Sequence, residues 1–206
     1  MKILTISDEV AKAIYHSEMR ERFKDVAMAL SCGDLPFYYL EFIVSMLNVP
    51  LCYVLGNHDR PMQREGGEER LYPEGCINLD NRVVLQNGLL MAGLEGSIKY
   101  SGGEHQYTEW EMSLKILRLG QKLWKNKVRY GRYLDILITH APPYQIHDQE
   151  DPCHRGFKSL VKFMDKYRPR YLIHGHSHIY NPWETRRTQY KDTLVINTYG
   201  HQILEL

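Results

Sequence analysis

Five short apolar stretches of this 206-residue chain run into the same kinds of residue. The first (3–6) leads to Asp8 and the second (26–30) to Gly33-Asp34. The third (51–55) enters Gly56-Asn57-His58-Asp59, and the fourth (134–138) meets Thr139-His140. The fifth (171–173) gives His174-Gly175-His176-Ser177-His178. Carboxylate, amide oxygen and imidazole together suit Mn²⁺, Fe or Zn²⁺, whereas Ca²⁺ would take oxygen donors alone. Two such ions about 3.5–4 Å apart, bridged by a carboxylate, polarise a phosphoryl oxygen and generate a hydroxide for in-line attack near neutral pH. Gly33, Gly56 and Gly175 stand beside these donors, where sharp turns and close backbone approach are needed.

Each apolar stretch is of strand length and is bounded by polar or turn residues. Phe37, Leu40, Val44 and Leu47 share one helical face. Phe157, Leu160, Val161 and Met164 share another, in a segment that stops near Pro169. This alternation predicts a largely parallel sheet covered by helices. Ligands of such sheets bind beyond the carboxyl ends of the strands, so all five endings should meet on one rim. The middle of the chain reads differently: 83–86, Asn87-Gly88 and 89–92 predict a hairpin. A long helix is expected over 108–126, capped by Thr108 with Glu111 reaching back, and with Trp110, Leu114 and Leu117 along one side. Segments 193–197 and 202–206 are expected to form a closing pair of strands; 60–76, 96–106 and 141–154 read as loops. Nothing marks a domain boundary, so 1–206 reads as a single domain.

The order Asp, Gly-Asp, Gly-Asn-His-Asp, His, Gly-His-x-His, from Asp8 to His178, resembles the calcineurin-like metallophosphoesterase family. The resemblance implies an α/β fold of two packed mixed β-sheets flanked by helices. It also implies a phosphoesterase that hydrolyses a phosphomonoester or phosphodiester through a dinuclear centre and metal-activated hydroxide. Two divalent ions are implied, Mn²⁺ first, with Fe or Zn²⁺ as alternatives. By the same resemblance Asp34 bridges both ions, Asn57, His140 and His176 complete the second site, and Asp8 and His178 serve the first. Asn57 and His58 face the substrate, and His58 stays off the metals to assist the leaving oxygen or bind the phosphoryl group. The family's opening motif is Asp-x-His, whereas this chain has Asp8-Glu9-Val10. Val10 cannot bind a metal, so the first site is expected to be weak unless Glu9, water or a loop histidine substitutes. That departure supports an alternative, a non-enzymatic interaction module with a degenerate metal site; His58 argues against it.

The segment 147–156 should overhang the rim, where Arg155 is placed to grip phosphate at a helix start. His16, His105 and His201 read as surface or packing residues. Lys+Arg 26 against Asp+Glu 25 leaves a formal charge of +1, so no global field holds nucleic acid or an anionic membrane. The run Lys122, Lys125, Lys127, Arg129, Arg132 reads as a solvated helix end. The most apolar stretch, 35–55, carries Pro36, Glu41, Asn48 and Pro50, which excludes a membrane helix. The apolar run at the start is too short for a secretory signal. Cysteines 32, 52, 76 and 153 show no paired spacing and read as free thiols in a reducing compartment. The expectation is a cytoplasmic protein acting on a small phosphate ester, with no membrane or nucleic-acid partner. The sequence sets no oligomeric state.

Overall fold

The computed structural model describes residues 1–60, 63–65, 68–181 and 183–206. Strand β1 (Lys2–Ser7) leads through a short helix α1 (Met19–Arg22) to β2 (Val26–Ser31), α2 (Phe37–Leu47) and β3 (Leu51–Tyr53). A small hairpin, β4 (Gln63–Glu65) and β5 (Glu68–Arg70), precedes β6 (Cys76–Asn78). Then come β7 (Val83–Gln86), β8 (Leu89–Leu94), the short strands β9 (Ser97–Ile98) and β10 (Gln106–Tyr107), and the long helix α3 (Glu109–Tyr130). The chain continues through β11 (Ile136–Thr139), α4 (Lys158–Tyr167), β12 (Tyr171–His174), β13 (Arg187–Tyr190), β14 (Thr193–Asn197) and β15 (Gly200–Glu205).

Two mixed sheets result, in the orders β15-β1-β2-β3-β6 and β13-β14-β12-β11-β8-β7. The inner strands of both are parallel, and antiparallel partners close three of the four edges. The sequence pattern explains why they stack. Side chains alternate across a strand, and these strands are apolar on both faces. Ile3, Met28, Leu30, Ile136, Ile138, Ile173 and Ile196 pack between the sheets. The alternate residues Leu4, Ile6 and Ala29 face α2 residues Tyr39, Leu40 and Ile43. On the other side Leu137 and Leu172 meet Leu119, Leu123, Leu160 and Phe163 from α3 and α4. The helices therefore cover the outer faces, and the single parallel sheet suggested by the alternation is replaced by two.

The predicted hairpin forms, with Asn87 at φ 50° and Gly88 at φ 80°, the pair of positive values that its tight turn demands. Thr108 and Glu111 form the expected reciprocal cap: the Thr108 hydroxyl accepts from Glu111 N at 3.2 Å, and Glu111 Oε2 accepts from Thr108 N at 2.7 Å. The helix runs four residues beyond expectation and ends on Gly131, at φ 73°. Its buried side is Met112, Lys115, Leu119, Gly120 and Leu123, so the predicted row of Trp110, Leu114 and Leu117 is turned away from the core. The closing strands also differ from expectation. β14 lies parallel to β12 in the second sheet, while β15 crosses over to pair antiparallel with β1 in the first. Short strands occupy parts of two segments read as loops. No described helix is long and apolar enough to cross a membrane.

Candidate metal centre

The rim where the two sheets meet gathers the residues singled out above. Asp8, Asp34 and His176 each stand just beyond a strand with positive φ, at 63°, 56° and 66°. Such backbone costs about 1–3 kcal/mol for a residue other than glycine and persists only where its surroundings over-determine it. They do so here. Asp8 N donates to Gly33 O at 3.2 Å, and His176 N donates to both Asp8 carboxylate oxygens at 3.1 and 3.0 Å. Asp34 N and Gly56 N donate to one oxygen of Asp59, at 2.9 and 2.8 Å. A Cβ at Gly56 would stand 2.6 Å from Asp34 Cγ and 2.7 Å from His140 Cε1, so the glycine lets the two ligand loops touch.

Four donor atoms converge behind these loops. His140 Nε2 lies 2.9 Å from Asn57 Oδ1, 3.3 Å from Asp34 Oδ2 and 3.1 Å from His176 Nδ1. The ligand atoms of Asp34, His140 and His176 all lie within 4.8 Å of one another. The far nitrogens of both imidazoles are occupied: His140 Nδ1 is 2.7 Å from Cys32 O and His176 Nε2 is 2.6 Å from Cys153 O. A carbonyl can only accept, so each imidazole donates there and turns a bare lone pair toward the others. With both imidazoles neutral, two lone pairs, an amide oxygen and a carboxylate then face one another with no hydrogen between them. Such an arrangement is held together by a cation, or by a proton in its place. The titration follows the same logic. Burial pulls the His140 imidazole down, but the Asp34 carboxylate outweighs it and raises His140 to about 9. Burial works against ionised Asp34, yet the His140 charge and the hydrogen bonds from His140 and His58 N carry it well below the usual carboxylate range. Burial, then the His140 charge, lowers His176 to about 3. The donor set therefore fits a divalent transition ion.

The other half of the site is thinner. His178 Nε2 is 3.9 Å from Asp8 Oδ1. Its ring packs on Tyr199 at 4.8 Å between centroids, and its Nδ1 meets Tyr180 OH at 2.8 Å. Burial raises the Asp8 carboxyl. Val10 packs against the cluster containing Ile14, Leu35 and Tyr39. Glu9 is exposed, with Oε2 beside Gly200 of β15. Neither replaces the missing imidazole.

His58 is exposed beside this group: its backbone N donates to Asp34 Oδ1 at 2.9 Å, and it lines a cleft with Asp34, Pro36 and Arg60. Asn57 Nδ2 donates to Tyr100 OH at 3.2 Å, which turns the amide oxygen toward His140. Arg155 is exposed and makes no hydrogen bond or ion pair with the described residues.

Three contributors escaped the sequence reading. Asp59 ties the second and third loops together; burial, then the Asp34 charge, raises it to about 6. Cys153 acts through its carbonyl, which no side-chain pattern reveals. His147, at positive φ, joins His174 Nε2 to Thr188 Oγ1 at 2.9 and 2.8 Å and pins the overhanging loop to β12. Burial lowers His147 to about 4 and His174 to about 3, so both serve as neutral links. Within that loop Asp151 accepts from Cys153 N at 3.0 Å and His154 N at 3.1 Å, and its oxygens meet His154 Nδ1 at 3.0 Å.

The chain belongs to the calcineurin-like phosphoesterase family, whose pattern matches residues 19–180. That family is mostly composed of metal-dependent phosphoesterases, and its divalent-metal chemistry agrees with the donor group just described. The fold is similar to that of TT1561 of Thermus thermophilus, at a TM-score of 0.65 and 17% identity over 97% of this chain and 89% of that one. It is also similar to GAP50, the anchor in the inner membrane complex of Plasmodium, at 0.54 and 13% identity over 96% and 70%. No curated protein matches the sequence.

Proposed function

We propose that this protein is a metal-dependent phosphoesterase, formed by a single domain over residues 1–206, that hydrolyses a phosphomonoester or phosphodiester of a small molecule. The observation carrying this reading is the convergence of four lone pairs from Asp34, Asn57, His140 and His176. These residues would hold one divalent ion, Mn²⁺ in first place and Fe or Zn²⁺ as alternatives. Asp34 would also reach a second ion served by Asp8 and His178. Bound ions supply Lewis-acid polarisation of the phosphoryl group and a water acidic enough to attack near neutral pH. The chain's own residues do the rest. Cys32 O and Cys153 O fix both imidazole tautomers, and Asp59 holds the loops in register. His58, exposed at the cleft, binds the phosphoryl group or gives a proton to the leaving oxygen. Asn57 lies beside it as a second substrate-facing group, and Arg155 on the overhanging loop is the candidate for an outer phosphate contact. The cytoplasm is the compartment proposed, on the free thiols.

The packing of Val10 into an apolar cluster favours a second reading, in which the first site is lost and the fold serves as an interaction module. Metal analysis of purified protein, with assays on an aryl phosphate monoester and its diester, separates the two. Bound Mn²⁺ with turnover supports the enzyme; metal-free, inactive protein after Mn²⁺ loading supports the module.

A further inference from the structure

Helix α3 has two apolar faces, and only one is used by the fold. Turned away from the core are Trp110, Leu117, Trp124 and Val128, exposed at 69%, 62%, 55% and 81%. With half-buried Leu114 and with Gln121 they occupy positions 110, 114, 117, 121, 124 and 128. The steps alternate four and three, the heptad spacing that keeps side chains on one narrow line of a helix. The line is about 27 Å long at about 1.5 Å per residue. Two indoles and two aliphatic chains expose on the order of 500 Å², near the upper end for a face with no partner.

We propose that this face is a docking seam for an acidic amphipathic helix of a partner protein. Its narrowness selects a helix. A membrane-surface helix carries a broad apolar face, whereas a single heptad line is the seam of a helix pair. The flanks select the charge. Residues 113–130 contain six Lys or Arg and no acidic residue. Arg118 and Lys125 border one side of the line, Lys127 the other, and Lys162 and Lys166 of α4 stand across an adjoining groove with Ile116 and Phe163. Among the described residues, the side chains of Arg118, Lys125 and Lys162 make no ion pair or hydrogen bond. Charges in these flanking positions decide which helix pairs with which. A second copy would bring the same uncompensated basic rows together. The acidic residues of the first turn are already engaged, Glu111 in the cap and Glu109 accepting from Lys158 N and Ser159 N. This inference does not depend on the phosphoesterase reading, because none of these residues belongs to the metal centre.

The test uses the full chain carrying Trp183→Phe, so that Trp110 and Trp124 report alone. A synthetic four-heptad peptide with Leu at its seam and Glu in the flanking positions is titrated against it, beside a Lys-flanked version. The expected result is a saturable blue shift of the emission with the Glu peptide only. Arg118→Glu/Lys125→Glu should weaken that binding by about tenfold, and Leu117→Asp should weaken it further. All three substituted side chains are exposed, so unchanged melting curves would show that folding is intact. No shift with the Glu peptide, or equal shifts with both peptides, overturns the proposal. So does a shift with vesicles of phosphatidylserine and phosphatidylcholine but not with the Glu peptide, which would make the face a membrane surface. Sedimentation of the unliganded protein as a dimer that Leu117→Asp dissolves would assign the face to a second copy and equally overturn it.

Discussion

Substitution of Gly56 by alanine tests the site's construction directly, because the new methyl group meets ligand atoms rather than the core. An alanine Cβ there stands 2.6 Å from Asp34 Cγ and 2.7 Å from His140 Cε1, where ordinary contact begins at 3.4 Å. Asp34 Oδ1 is overlapped more closely still, so Asp34, His140 or the loop itself must move by more than about 0.8 Å. Metal–ligand distances tolerate only about 0.2 Å, so the donor set loses its geometry before the fold does. Disturbing the support of a ligand typically costs about 10–100-fold in affinity, or about 1.4–2.7 kcal/mol. Here the ligands themselves shift, so a loss at or beyond the upper figure is expected. Overpacking should also lower stability by about 1–3 kcal/mol. Calorimetric titration of the apo-protein with Mn²⁺ reads the first quantity and thermal melting without metal reads the second. Wild-type Mn²⁺ affinity and stoichiometry in Gly56→Ala would refute the reasoning, since it would mean that the Asp34–His140 contact is not where the ion sits.

Asp34→Asn keeps the shape and the acceptor for His58 N but removes the shared charge; both ions should weaken and turnover should nearly vanish, with little change in melting temperature, as metal analysis and calorimetry would show. His58→Ala should lower turnover on the order of 10²–10⁴-fold while leaving metal content near normal; joint loss of metal and activity would make His58 a ligand. With Val10 in the position of an imidazole, two unequal Mn²⁺ affinities are expected, the Asp8–His178 ion leaving first under mild chelation; two equally tight sites would contradict this. Away from the metal centre, Glu95 accepts from Tyr107 OH at 2.5 Å and from Lys115 Nζ at 3.3 Å. Burial opposes its charge, but His105, Lys115 and Tyr107 outweigh it and hold Glu95 at about 2 against an ordinary 4.5. A depressed carboxylate stabilises the fold above its unfolded value and loses that contribution as pH falls from about 4.5 toward 2, an effect of at most about 3 kcal/mol, which raised Asp80 partly opposes. Glu95→Gln should therefore melt lower at pH 7 and show a flatter loss of stability between pH 5 and 2; an unchanged acid limb would refute the assignment.

Much of this protein is legible from local rules. A run of Ile, Leu and Val that breaks at Asp, Gly-Asp or Gly-His marks a buried strand and its functional end, because apolar alternation and turn chemistry act over a few residues. Asn87-Gly88 sets its hairpin, and Thr108 with Glu111 starts α3, for the same reason: the groups that satisfy each other are neighbours in the chain. Tertiary structure decided what depends on distant partners. Thr193–Asn197 and Gly200–Glu205 are adjacent in sequence, yet one completes the second sheet and the other closes the first, because β1 offered the free edge. Trp110, Leu114 and Leu117 carry a helical apolar period as good as that of Met112, Leu119 and Leu123; only the position of the second sheet selects which face is buried. At the candidate metal centre the sequence named groups that converge in the structure but not their supports. Cys32 O and Cys153 O are backbone atoms with no signature in side-chain type, and Asp59 looks like one more ligand until its oxygen is seen accepting from Asp34 N and Gly56 N. Residue type fixes what an atom can donate or accept, while its orientation toward an ion is set by groups brought together only when two sheets meet.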